Sequence, residues 1–404
     1  MKRVTIERLG HHGDGIGDGP VFVARTLPGE VVEGDVVEGR IANPRILQPS
    51  PERITAPCRH YRNCGGCALQ HVRPEFATDW KENVIRQALA AHGLDTTLRR
   101  AHVAPLYSRR RATFAGRRTK ASALVGFHAR GSHVVTSVSD CVILHPDLTN
   151  SLPQLEDLVA RFGTRKGEIA LSLTRADNGL DLAITANRRL DDRQLTDLAH
   201  WAGQSGFARL AWDGEIIAQA SAPVHRLGPA LVTPPPNTFL QATKDAEAAM
   251  QAHVSEIAGG AQHVADLFSG CGTFALPLSQ HAKVLAVEAS ESMLKACELG
   301  WRGSPGLRPI KHLVRDLFRQ PLKAEELNEF ECVVIDPPRA GAEAQAQEIA
   351  ASAVPSVAAI SCNPVSFARD AKLLVAGGYR LEWVQMVDQF RFSPHVELVA
   401  RFNR

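Results

Sequence analysis

The chain has 404 residues, 44% hydrophobic and 22% charged, with a formal net charge of +3. That length exceeds one ordinary core and calls for two or three domains, and the charged fraction is that of a soluble globular protein. No run approaches the roughly 20 apolar residues that cross a bilayer, and the opening Met1–Glu7 lacks the apolar core of a signal peptide. The expectation is a cytoplasmic protein that engages no membrane and needs no obligate protein partner.

The first fifty residues read as short strands joined by glycine turns. Val4–Glu7 alternates, Gly10–Gly19 holds five glycines and two aspartates, Val21–Ala24 is a second strand, and Val31-Val32 and Val36-Val37 follow the turn at Pro28-Gly29. Such a pattern predicts a small β-barrel over residues 1–50. Pro44, Pro49, Pro51 and Pro57 mark its end. A cysteine-rich loop, Cys58–Cys67, leads into a helix predicted over Pro74–His92, with Gly93 at its C-terminal cap. Residues 51–235 form a central α+β domain in which Leu124–Phe127 and His133–Val135 make a hairpin around Gly131. The run Thr233–Asn237, with three prolines, marks a second boundary. From 236 to 404, strand candidates at His263–Phe268, Val284–Glu288, His312–Val314, Cys332–Asp336, Val357–Ser361, Leu381–Val387 and Glu397–Phe402 alternate with helices. That alternation is the signature of an open, mostly parallel α/β sheet, with an antiparallel pair finishing one edge.

Charge and cysteine placement add chemistry. Between Thr96 and Ser139 stand nine Lys or Arg and no Asp or Glu, six of the nine between Arg109 and Lys120. Such a block suits a phosphate-binding surface or, as readily, a solvated basic face. Of the eight cysteines, Cys58, Cys64 and Cys67 cluster around two glycines. Outside an oxidising compartment such clusters hold metal or do chemistry. Their spacing makes a thiolate cradle for iron–sulfur or for zinc.

In Val264–Phe274 a strand runs into the turn Ser269-Gly270-Cys271-Gly272. The glycines let a ligand approach the backbone at the carboxyl end of the strand. Glu288 ends the next strand, where an acid can accept from both ribose hydroxyls of a nucleoside, and Asp316 follows the third. This ordered set resembles the class I S-adenosylmethionine-dependent methyltransferases, and the bland alternative is a generic nucleotide fold. Pro337 and Pro338 stop the fourth strand sharply and leave Asp336 at its tip. The fifth strand ends Ser361-Cys362-Asn363-Pro364, which places a thiol at the rim rather than in mid-core. A thiolate there can add to carbon 6 of a pyrimidine. Carbon 5 then becomes enolate-like and accepts a methyl group, and a base must remove its proton. Glu397, opening the last strand beside His395, is the candidate base.

These residues resemble the bacterial RNA uracil-5 methyltransferases, in particular the 23S ribosomal RNA branch that carries an iron–sulfur cluster and a TRAM domain. The carrying pieces are Cys58-x5-Cys64-Gly65-Gly66-Cys67 followed by Gln70, Phe239-Leu240-Gln241, Asp266–Gly272, Asp336-Pro337-Pro338-Arg339, Ser361–Pro364 and His395-Val396-Glu397. The resemblance implies a Rossmann-like catalytic domain over 236–404, a TRAM, OB-like RNA-binding barrel over 1–50, and a segment 74–98 that packs on the catalytic domain. It implies Cys362 as nucleophile, Glu397 as base and Asp336 at the uracil edge. Gln241, Phe268, Gly270, Gly272, Thr273, Glu288, Asp316 and Asp336 would line the S-adenosylmethionine site. A [4Fe–4S] cluster would sit on Cys58, Cys64, Cys67 and the distant Cys141, and Arg109, Arg110 and Arg111 would hold RNA phosphates. The expected partner is RNA, ribosomal first and transfer RNA second. The stretch Asp35–Ile46 departs from the TRAM pattern, as if a hairpin were trimmed. Two other classes compete: methylation of cytosine or adenine, disfavoured because the Asp336-Pro337-Pro338 loop has no cysteine and adenine chemistry needs no Cys362, and a non-catalytic RNA-binding iron–sulfur protein.

Overall fold

The computed structural model describes residues 1–404. In the C-terminal third, Val264–Leu267 and Cys332–Ile335 are buried at every residue. Strands apolar on both faces suit a parallel sheet covered by helices on each side. They form an eight-stranded sheet in the order Ile310–Val314, Lys283–Glu288, His263–Leu267, Cys332–Ile335, Ser356–Ser361, Leu398–Asn403, Arg380–Asp388 and Thr97–Val103. Only Leu398–Asn403 runs against its neighbours. Alternate residues feed two apolar layers. Ala265, Leu267, Val333 and Ile335 face one, and Val264, Cys332 and Val334 the other. This is the class I methyltransferase architecture.

Two features differ from the expected topology. The closing antiparallel pair lies one strand inside the sheet, because Thr97–Val103, nearly 300 residues earlier, pairs in parallel with Arg380–Asp388 and takes the edge. The helix before it, Pro74–Ala90, buries Ile85 and Leu89 in the same layer as Ala265 and Val357. Its Lys81, 1% exposed, reaches Asp388 Oδ1 at 2.7 Å. In addition, the hairpin His225–Leu227 and Ala230–Val232 places Leu227, Ala230 and Val232 in the second catalytic layer, so the chain enters the catalytic domain before residue 236.

The central domain is a seven-stranded sheet from Arg111 to Gln219, with helices Leu152–Phe162 and Asp192–Ser205 covering its core. The N-terminal sheet has six strands, in the order Arg40–Ile41, Val21–Val23, Gly15–Gly17, Lys2–Leu9, Val31–Gly34 and Arg45–Gln48. It curls until the edge strand Arg40–Ile41 meets Val31–Gly34 from the other side of the sheet: a Cβ on Gly34 would lie 2.4 Å from Ile41 Cγ2. Val4, Ile6, Val21, Val23, Val32 and Ile41 fill it. Val36-Val37 is not a strand but an exposed turn, bridged only from Val37 to Arg40. The missing piece of the barrel is made by Arg45–Gln48, whose short, largely exposed run hides its strand character. No helix is long and apolar enough to cross a membrane.

Candidate active site

The turn after the first catalytic strand is built on left-handed backbone. Phe268, Gly270 and Gly272 have φ of 62°, 57° and 92°. At Gly272 a Cβ would also meet Cys297 Sγ at 2.6 Å, so glycine is required twice over. The Gly270 N–H donates to Glu288 Oε2 at 3.1 Å and the Ser290 N–H to its Oε1 at 3.0 Å, which fixes the carboxylate at the mouth of the turn. Phe268 packs on the half-exposed Phe318, ring centroids 5.3 Å apart. Asp316 caps the backbone of Phe318 at 3.0 Å. The Thr273 carbonyl accepts from Gln251 at 3.0 Å. Beneath the turn, Asp266 is fully buried with neither side-chain oxygen hydrogen-bonded. Burial holds its carboxyl well above the usual range against the nearby Ala275 N–H, with Asp336 and Glu288 adding to the rise.

Asp336 and Cys362 end neighbouring strands. Arg339 ties their loops together: its carbonyl accepts from Asn363 Nδ2 at 3.0 Å and from Ser366 Oγ at 3.1 Å. Asn363 also caps the helix Pro364–Ala376 through the Val365 N–H, so the residue after the cysteine is locked on both sides. Burial raises the Cys362 thiol to about 11, with Glu397 and then Asp336 adding and Arg339 opposing. Burial raises Asp336 to about 7. Glu397, 3% exposed, is raised to about 8 by burial and then by Asp336, against a 2.9 Å hydrogen bond from Gln389 Nε2. A thiol and two reluctant carboxylates thus meet at the ends of three adjacent elements. That is an arrangement for moving protons at near-neutral pH.

Gln241 is buried beside this group, and Gln389 Nε2 donates to its Oε1 at 2.7 Å. Sequence reasoning missed Gln389, Lys81 and Phe318. A polar or aromatic residue in a loop carries no sequence mark of what it will touch.

The three arginines separate. Arg110, 2% exposed, pairs with Glu247 at 2.5 Å and donates to the Gln241 carbonyl at 3.0 Å. It joins two domains and is closed to a phosphate, which corrects its expected place on an RNA surface. Arg111 lies over the exposed Phe239 ring, 5.1 Å from its centroid, and Arg109 lies 5.9 Å from that of Phe390.

Cys58, Cys64, Cys67 and Cys141 are free and line one cavity of about 560 Å³ together with Arg109, Phe390 and His395. The loop is pressed against the central sheet. The Gly65 N–H donates to the His128 carbonyl at 2.9 Å, and a Cβ on Gly65 would lie 2.8 Å from that oxygen. Burial raises the Cys64, Cys67 and Cys141 thiols, Cys67 to about 12, and neighbouring cysteines add to each. The side chains do not converge to metal-ligand distance.

The sequence profile of the tRNA (uracil-5-)-methyltransferase family matches residues 311–402, the stretch that carries Asp336, Cys362 and Glu397. An uncharacterized RNA methyltransferase of Caulobacter vibrioides is 43% identical over the full length of both chains. One of Brucella suis is 42% identical over 98% of this chain and 97% of its own. The 23S rRNA (uracil(1939)-C(5))-methyltransferase RlmD of Vibrio vulnificus is 29% identical over 100% of this chain and 96% of its own. Among solved structures, the Pyrococcus abyssi tRNA (uracil-54, C5)-methyltransferase in complex with S-adenosyl-L-homocysteine shares the fold, with a TM-score of 0.78 at 21% identity over 99% of each chain. The chain belongs to the RNA methyltransferases, and its residues 311–402 match the uracil-5 family within them.

Proposed function

We propose that this enzyme methylates carbon 5 of a uridine in large-subunit ribosomal RNA, with Cys362 as covalent nucleophile and Glu397 as the base. The observation that carries this reading is the meeting of Cys362, Asp336 and Glu397, each raised by burial and the thiol by both carboxylates. Asp336 takes the proton of the Cys362 thiol, the thiolate adds to carbon 6, and the electron pair of the 5,6 double bond moves to carbon 5. S-adenosylmethionine supplies the electrophilic methyl group when bound. Glu397 removes the carbon 5 proton. The electrons left behind restore the double bond and expel the thiolate. Asp336, protonated near its pKa of about 7, can donate to a uracil carbonyl that gains charge as the adduct forms. Gln241, Phe268, Gly270, Gly272, Thr273, Glu288 and Asp316 hold the methyl donor. Glu288 takes the ribose, and Phe268 with Phe318 flanks the adenine.

Cys58, Cys64, Cys67 and Cys141 would hold a [4Fe–4S] cluster once drawn together from their present separation: four free thiols line one cavity, and the glycine at position 65 lets their loop lie on the sheet. The cluster would brace the loop that leads to Glu397, since methyl transfer itself moves no electron. RNA would lie along two clefts of about 560 and 970 Å³ between the barrel and the central domain, both lined by Arg25, Asn43 and Arg62. Arg40, Arg59 and Arg130 add charge along them. Arg109 and Arg111 would meet the RNA nearer the target base. The similarity to a 23S ribosomal RNA enzyme, 29% identical over the full length, supports the choice of ribosomal RNA.

The test is methyl transfer from labelled S-adenosylmethionine to RNA from cells lacking the gene, followed by digestion to nucleosides. Label in 5-methyluridine of ribosomal RNA is expected. Label confined to transfer RNA would move the substrate, and label in another base would remove the roles of Cys362 and Glu397. No label, with RNA bound, would favour a non-catalytic RNA-binding protein.

A further inference from the structure

Gln389 has no part in the mechanism above, yet it touches both sides of the proposed site. It lies in the bend after Arg380–Asp388, 3% exposed. Its amide oxygen accepts from the Ala242 N–H at 2.7 Å. Its amide nitrogen donates to Gln241 Oε1 at 2.7 Å and to Glu397 Oε2 at 2.9 Å. Both N–H bonds and the carbonyl are therefore used. The orientation is fixed, because a flipped amide would set its oxygen against a carboxylate and another amide oxygen. The surroundings hold still. Lys81 bonds Asp388 on one side of Gln389 and the Phe390 carbonyl at 3.2 Å on the other, while Arg110 holds the carbonyls of Gln241 and Ala242.

We propose that Gln389 is a positioning residue that aligns Glu397 for proton removal and ties that alignment to the glutamine beside the methyl-donor site. The proposal rests on Glu397 as base and Gln241 as donor-site residue. The charged and titratable groups facing Glu397 are Asp336 and Cys362, both anionic when ionised. Gln389 is the hydrogen-bond donor to its carboxylate. A donor favours the ionised, proton-accepting form and orients the lone pair that takes the proton. Because one amide nitrogen serves both partners, a shift of Gln241 on donor binding is felt at Glu397.

Gln389→Leu tests this in the full-length enzyme, with Gln389→Met, which keeps the unbranched shape, as the second variant should the first fail to fold. Three quantities are read: kcat against pH, KM for S-adenosylmethionine, and the amount of RNA–protein adduct that survives denaturation. The expected result is a loss of about tenfold in kcat, from one lost charge-assisted hydrogen bond. The rising limb of the pH profile moves to higher pH, KM rises, and adduct accumulates because proton removal has slowed. A folded variant with wild-type pH profile and adduct level overturns the proposal. Glu397→Gln separates the two levels. If it turns over normally, the base assignment falls. If it is inactive while Gln389→Met keeps the wild-type profile, only the role of Gln389 falls.

Discussion

Cys362 is a strong nucleophile only as thiolate, and its surroundings hold it as thiol: burial and two neighbouring carboxylates push it to about 11, with Arg339 the opposing cation. Cys362→Ala is expected to abolish turnover while S-adenosylmethionine and RNA still bind, as read by filter binding alongside the methyl-transfer assay. Normal turnover would remove the covalent mechanism. Glu397 must be ionised to act as base and Cys362 to attack, so the rate should rise with pH through about 8 and on toward 11, and Glu397→Gln should lose on the order of 10²–10⁴-fold. Asp336 and Cys362 were legible as candidates because each ends a strand at a proline, whereas Glu397 was a candidate through the resemblance carried by His395-Val396-Glu397. Gln389 and Arg110 were not legible. Whether a polar residue is buried among partners depends on chain segments more than a hundred residues away.

At the level of elements, the site is held by pairs between distant segments. Arg110, just before the strand Arg111–Arg118, meets Glu247 of the helix Lys244–Ala258, both nearly sealed from solvent. Removing one partner strands a buried charge. Arg110→Ala or Glu247→Ala should cost roughly 3–5 kcal/mol in urea unfolding, and replacing both by apolar residues of similar volume should recover most of it. If both single variants unfold at the wild-type midpoint, the pair does not join the domains. The barrel and sheet strands with clean alternation or continuous apolar runs were readable. Thr97–Val103 was not, since its two arginines and histidine break the period and its residues are only half-buried. Its strand identity comes from the open edge of Arg380–Asp388.

For the whole molecule, buried carboxyls set a pH limit. Asp266, Asp336 and Glu397 bind protons more tightly folded than unfolded, Asp336 at about 7 and Glu397 at about 8. Their contribution is fully present below the unfolded carboxyl range and is lost as pH rises through these values. The melting temperature should fall between about pH 5 and 9, and less steeply in Glu397→Gln; equal slopes would show that Glu397 does not contribute. Cys141→Ser, changing the cysteine far in sequence from the other three, should lower bound iron and the broad absorbance near roughly 400 nm. Stoichiometric zinc without iron in the wild-type protein would replace the cluster. The loop leading to Glu397 gathers the molecule around itself. The Phe392 carbonyl accepts from Ala68 and Leu69 of the cysteine segment, Asp388 takes Lys81, and Gln389 takes Gln241 and Glu397. The sequence by itself determined the α/β alternation, the glycine turn and the placing of candidate reactive residues at strand ends, because these depend on periodicity, backbone sterics and local chemistry. Tertiary structure alone decided the edge strand, the withdrawal of Arg110 from the surface and the Gln389 bridge, because burial and hydrogen-bond partners are set by segments that meet only when the chain folds.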